Sequence, residues 1–147
     1  MSVADILVVE DNRHDVAMIL DAFCERYNPE KICILRNGAE AIDYFFGSQG
    51  RLQRADICNP KFILLDLKLP KISGLEVLKC LKSDERTRDI PTIIFTSSNE
   101  ARDRSECYQM GANSYIVKPL DADCFSRFVT DIGSYWLMMN KTSYQER

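Results

Sequence analysis

Histidine is almost missing from this chain: His14 is its only one in 147 residues. The six cysteines, Cys24, Cys33, Cys58, Cys80, Cys107 and Cys124, stand far apart with no C-x-x-C among them. That spacing excludes Cys/His zinc frameworks and leaves most of the cysteines as buried or semi-buried free thiols of a reducing cytosol. His14, in the first turn of a helical pattern, reads as a solvated surface residue. A basic excess is missing too. Nineteen Lys and Arg face 22 Asp and Glu, for a net charge of −3, so there is no electrostatic footprint for nucleic acid and acidic lipid surfaces are disfavoured. No apolar run approaches the roughly 20 residues of a membrane-spanning helix. A strand pattern begins at once after Asp5, with no targeting segment before it. The expected location is cytoplasmic, with no membrane partner. Repeats, low-complexity tracts and an interdomain linker are also absent, which favours one domain over residues 1–147.

What the chain has is an alternation of apolar runs and helical patterns, the signature of βαβ units and a parallel sheet. Ile6-Leu7-Val8-Val9, Phe62-Ile63-Leu64-Leu65 and Ile93-Ile94-Phe95 are too uniformly apolar to be half exposed, so these strands are buried on both faces. Ile32-Cys33-Ile34-Leu35 supplies a second strand in chain order and Ser114-Tyr115-Ile116-Val117 a fifth. Between them, Val16, Leu20, Phe23 and Tyr27 form one apolar helical stripe, with Asn12 as its N-cap. Ala39, Ile42 and Phe46 mark a second helix, and Leu75, Leu78 and Leu81 a third. Residues 101–110 form a more polar fourth before Gly111; Phe125, Phe128, Val129 and Ile132 mark a fifth. Right-handed crossovers on both faces give a doubly wound α/β fold, (βα)5, with a five-stranded parallel sheet of flavodoxin-like strand order 2-1-3-4-5. Residues 47–61 are a long connection, as extra helix or as a surface excursion.

In such a sheet the carboxyl ends of neighbouring strands converge into one crevice, and the order above sets the first and third strands side by side. The first strand ends in Glu10-Asp11, the third in Asp66, the fourth in Thr96-Ser97-Ser98 and the fifth in Lys118-Pro119. Crowded carboxylates repel by about 4 kcal/mol per pair at 4 Å and an effective dielectric near 20, so they call for a divalent cation. The chemistry implied is Mg²⁺-assisted handling of a phosphoryl group.

Taken together, Glu10-Asp11, the string from Asp66 to Gly74 with Pro70 inside it, Thr96-Ser97 and Lys118-Pro119, each at a strand end, resemble the receiver domain of two-component response regulators, the CheY-like family, over residues 5 to about 133. The resemblance implies that Asp66 is a phosphoacceptor, taking a phosphoryl group from a phosphohistidine of a partner histidine kinase. It implies that Glu10, Asp11, Asp66 and the backbone carbonyl of Lys68 hold Mg²⁺, that Lys118 pairs with phosphoryl oxygens, and that Thr96 bonds one of them. It further implies a cis peptide bond at Pro119 and a switch in which Thr96 moves and Tyr115 rotates inward. By the same resemblance, Lys68 and Ser98 stand where side chains tune the lifetime of the acyl phosphate. Such a protein is a signalling phosphoacceptor, catalysing only its own phosphorylation and dephosphorylation. With only a short extension, about 134–147, after the fifth helix, a stand-alone receiver is expected.

The long 47–61 connection and the Tyr135-Trp136-Leu137 end are similar to the small response regulators that pair with bacterial phytochromes, especially those of cyanobacteria. That likeness implies a light-sensing kinase. Five consecutive large residues, Tyr135 to Met139, cannot all face one stripe, so some remain exposed as a partner surface. A homodimer through Tyr135, Trp136 and Met139 is expected, the alternative being that the segment folds back over its own domain. Two other classes fit less well. A haloacid-dehalogenase phosphatase needs Asp-x-Asp after its first strand, where this chain has Glu10-Asp11-Asn12. A flavodoxin needs a glycine- and hydroxyl-rich phosphate loop, which Asn12-Arg13-His14-Asp15 is not.

Overall fold

A computed structural model describes residues 4–47 and 59–144. Five parallel strands, β1 (Ile6–Val9), β2 (Ile32–Leu35), β3 (Phe62–Leu65), β4 (Thr92–Thr96) and β5 (Ser114–Val117), pair in the order 2-1-3-4-5. Five helices alternate with them: α1 (Arg13–Cys24), α2 (Gly38–Phe46), α3 (Gly74–Ser83), α4 (Ala101–Met110) and α5 (Ala122–Gly133). Every residue of β1, β3 and β4 is buried, as their unbroken apolar sequences require, while the outer β2 and β5 are half-buried. One face of the sheet packs Leu7, Ile63, Leu65 and Ile94 against Ala41, Phe45, Val77, Leu78 and Leu81. The other packs Ile6, Val8, Phe62, Leu64 and Phe95 against Ile19, Phe23, Phe125 and Val129.

The helix starts follow their caps. Asn12, Asn37, Ser73 and Asp121 each accept a hydrogen bond from the backbone N–H three residues on, at the head of α1, α2, α3 and α5. Gly111, at φ 107°, ends α4 in the left-handed conformation that glycine adopts without penalty. The phase of α2 differs from the expected stripe: Ala41 and Phe45 are buried, while Ile42 and Phe46 lie at the rim. Ala39, Ala41, Ile42, Tyr44, Phe45 and Phe46 offer apolar groups to several faces, so periodicity alone cannot choose among them.

After α5 the backbone widens into a π-helical segment, Ser134–Met139. Gly133 makes this approach possible, since a Cβ there would lie 3.0 Å from the Phe23 and Tyr27 rings. Trp136 and Leu137 pack inward against the core on the α1 and α5 side, whereas Tyr135, Met138 and Met139 are exposed. The expected exposed surface is therefore corrected at Trp136. Beyond it the chain does fold back, and the Tyr144 hydroxyl donates to the carbonyl of Pro60 at 2.5 Å. Most of the 47–61 connection lies outside the described residues. Among these no helix is long and apolar enough to cross a membrane.

Lys82 ties the lower edge of the sheet together. Its ammonium donates to the carbonyls of Arg88 and Ile90 at 2.8 Å each and to Asn113 Oδ1 at 3.0 Å. Lys82→Met keeps the stem and removes the donor these three acceptors share, leaving Asn113 Oδ1 and the Ile90 carbonyl with only their bonds from Thr92, at a cost of about 1–3 kcal/mol. Its thermal midpoint should fall by several degrees, as calorimetry would register.

Candidate functional site

The carboxyl ends of β1 and β3 are adjacent because Val9 pairs with Leu65 in register, so the next residues, Glu10 and Asp66, emerge side by side. Glu10 and Asp66 are 2% and 7% exposed, and Asp11 is exposed beside them. One carboxylate oxygen from each of Glu10, Asp11 and Asp66 lies within 4.8 Å of the others. Three hard oxygen donors so close fit a hard divalent cation. Their crowding is visible electrostatically: burial, and then the charge of Asp66, push the Glu10 carboxyl up to about 7.

β5 brings Lys118 to the same point. Its backbone N–H bonds the carbonyl of Thr96 at 2.7 Å, and its ammonium donates to Glu10 Oε1 at 2.5 Å, to Asp15 Oδ2 at 2.8 Å and to Asp66 Oδ2 at 3.2 Å. Burial alone would lower its pKa, but hydrogen bonds to Asp15 and Glu10 and the charges of Asp66 and Glu10 hold it above the ordinary lysine range. Asp66 Oδ1 accepts from the Leu67 N–H at 2.7 Å, with the Lys68 N–H at 3.5 Å. Both oxygens of Asp66 and of Glu10 already accept a hydrogen bond, and each keeps a further lone pair to offer a cation.

The loop after Asp66 is shaped by backbone contacts. The Gly74 N–H returns to the Leu67 carbonyl at 2.9 Å, and a Cβ on Gly74 would stand 2.0 Å from the Asp66 carbonyl oxygen. Lys71 carries the turn at φ 68°, in the left-handed region that side chains other than Gly and Asn seldom adopt. The bond between Lys118 and Pro119 is trans, since no peptide bond is cis among the described residues; the expected cis bond is corrected. X-Pro bonds favour trans by about 0.5–1 kcal/mol, and three carboxylates already draw the Lys118 ammonium inward in that geometry.

Thr96 is fully buried at the end of β4. Its Oγ1 is 3.5 Å from the N–H of Ser98, whose carbonyl accepts the Tyr115 hydroxyl at 3.0 Å. The Ser98 hydroxyl donates to Asp103 Oδ2 at 2.5 Å. Thr96, Tyr115 and α4 are thus joined through a single residue.

Two participants are not evident in the sequence. Asp15 is the third carboxylate on Lys118, brought over the strand ends because its own N–H caps on Asn12 Oδ1 at 3.0 Å; the available signal was its spacing, three residues after the cap. Asp103 is the other. Tyr135 and Met139 lie apart from this cluster, on the extension after α5.

The chain is similar to known proteins. Residues 6–129 match the model of the response regulator receiver domain. The chain is 38% identical over 137 residues to the probable methanogenesis regulatory protein FilR2 of Methanothrix harundinacea, covering 93% of this chain and 86% of the relative. It is 32% identical over 132 residues to the response regulator Rcp1 of Synechocystis sp., covering 90% and 88%, a protein whose Mn²⁺-bound structure superposes with a TM-score of 0.84 at 29% identity over 98% of this chain and 100% of that one. The phosphorylated cyanobacterial phytochrome response regulator RcpA superposes with a TM-score of 0.86 at 31% identity, over 97% of this chain and 100% of that one. With a family match over most of its length and the acidic crevice, lysine and threonine at the strand ends where that fold carries its site, the chain belongs to the response regulator receiver domain family.

Proposed function

We propose that this receiver accepts a phosphoryl group on Asp66 from the phosphohistidine of a histidine kinase, with Mg²⁺ held by Glu10, Asp11, Asp66 and the Lys68 carbonyl. The carrying observation is the three-carboxylate cluster with Lys118 in contact with two of its members. Mg²⁺, when bound, neutralises the carboxylates and the phosphoryl oxygens. The chain's own residues do the remainder, because phosphoryl transfer is mostly positioning and charge stabilisation. The Asp66 carboxylate attacks phosphorus while the histidine imidazole departs, and the backbone N–H of Leu67 fixes the other carboxylate oxygen. Lys118 takes a phosphoryl oxygen in place of Asp66 Oδ2, and the Thr96 hydroxyl donates to another. Moving Thr96 disturbs Ser98 and through it Tyr115 and α4, which supplies the differential contact that a two-state switch needs. Mixing the protein with acetyl phosphate and Mg²⁺ should add one phosphoryl group by intact mass, and excess EDTA should abolish the addition. Labelling that persists in EDTA contradicts the metal assignment.

The likeness to phytochrome response regulators supports a light-sensing kinase as donor, acting in the cytoplasm. The exposed Tyr135, Met138 and Met139, with Phe128 on the same helical run, support a homodimer through the end of α5. Met138→Glu with Met139→Glu should yield monomers while leaving Asp66 chemistry intact. Wild-type protein that sediments as a monomer at micromolar concentration, with and without acetyl phosphate, contradicts the dimer.

A further inference from the structure

We propose that Asp15 is a positioning residue for the phosphoryl transfer, anchoring Lys118 while the other partners of that lysine change; this rests on Asp66 being the phosphoacceptor. A lysine ammonium has three N–H donors, and here they face three carboxylates, Glu10, Asp15 and Asp66. Two of these are spoken for in the reaction. Asp66 becomes the phosphorylated side chain, and Glu10 belongs to the metal cluster. Asp15 lies outside that cluster, at 2.8 Å from the ammonium and with its side chain 18% exposed, and neither the cation nor the phosphoryl group claims it.

Asp15 is built to hold still. Its N–H is fixed on Asn12 Oδ1, and it is the acidic residue in the first turn of α1, where the helix dipole favours a carboxylate. The Lys118 side chain is 9% exposed, so its loss of a partner cannot be made good freely by water. With Asp15 in place, the ammonium stays at the crevice when Asp66 Oδ2 leaves it and a phosphoryl oxygen arrives. Without Asp15 the ammonium collapses onto Glu10 and Asp66, and its donors are no longer presented to the incoming group. Outer partners that orient a charged ligand typically contribute on the order of 10–100-fold to activity.

The test is the rate of labelling by acetyl phosphate at saturating Mg²⁺, read by intact mass, together with the Mg²⁺ dissociation constant by calorimetry. Asp15→Ala should slow labelling on the order of tenfold with the Mg²⁺ constant nearly unchanged. Asp15→Asn, which keeps an acceptor oxygen, should recover most of the rate. In a Lys118→Ala background, Asp15→Ala should cost nothing further. A wild-type rate in Asp15→Ala overturns the inference alone, as does an undiminished loss in the Lys118→Ala background, or a fall in Mg²⁺ affinity large enough to account for the slower labelling. If wild-type protein takes up no phosphoryl group at all, the Asp66 reading fails and the role of Asp15 falls with it.

Discussion

Asp66→Asn should take up no phosphoryl group from acetyl phosphate under conditions in which wild-type protein is labelled. The amide keeps the shape of the side chain, so the N–H of Leu67 retains an acceptor and the fold survives. What is lost is the proposed nucleophile: an amide oxygen carries no net charge to attack phosphorus, and the acidic cluster of Glu10, Asp11 and Asp66 is reduced to two carboxylates. Removing one charge from a buried, crowded cluster also relieves repulsion, so the thermal midpoint in the absence of Mg²⁺ should stay level or rise, and the Glu10 carboxyl should shift back toward its ordinary range. Intact mass, calorimetry and carboxyl NMR check the three parts. Full labelling of Asp66→Asn would move the acceptor elsewhere.

Gly74→Ala should severely damage the molecule's active end with a single methyl. The added Cβ meets backbone, with Asp66 O at 2.0 Å, Leu67 Cα at 2.6 Å and Asp66 C at 2.8 Å. No rotamer relieves such a contact, so the loop must move away from α3. A close-packed interior charges about 1–3 kcal/mol for such overpacking, which in a chain of this length lowers the thermal midpoint by roughly 2–4 °C per kcal/mol. The residue displaced is the proposed phosphoacceptor, and misplacing a reacting group by about 1 Å can cost on the order of 100-fold in rate. Gly111→Ala is the control: it strains a left-handed helix end at φ 107° far from the crevice, so it should destabilise without slowing labelling. Wild-type stability and labelling in Gly74→Ala would show that the loop adapts and that the glycine is not required.

The strand order and the convergence of Glu10, Asp66, Thr96 and Lys118 were legible because each rests on a local rule. Unbroken apolar runs mark doubly buried strands, alternation with helices makes them parallel, and parallel strands bring their carboxyl ends to one edge. The cap at Asn12 was legible for the same reason, as side-chain chemistry acting over three or four residues. What was not legible depends on rotation and on contacts between distant segments. The phase of α2 could not be chosen from a helix apolar on several faces. Trp136 and Leu137 turn inward because a π-helical segment resets the helix face at Gly133 and α1 presents Phe23 and Tyr27 there. Gly74, taken alone, resembles loop punctuation, and only the nearness of the Asp66 backbone reveals why a side chain is forbidden. Asp15 needed both the helix phase and the height of Lys118 to be known before its role emerged. The isomer at Pro119 rests on a difference of about 1 kcal/mol or less, which sequence cannot resolve.

The most direct test of the central claim is chemical trapping of the phosphoryl linkage. Protein treated with acetyl phosphate and Mg²⁺ is reduced with borohydride, which converts an aspartyl phosphate to homoserine, and its peptides are then mapped by mass spectrometry. Homoserine at position 66 and at no other, absent when EDTA is added, is the predicted result; homoserine at another aspartate, or a stable phosphate on a hydroxyl residue with Asp66 unchanged, would contradict it.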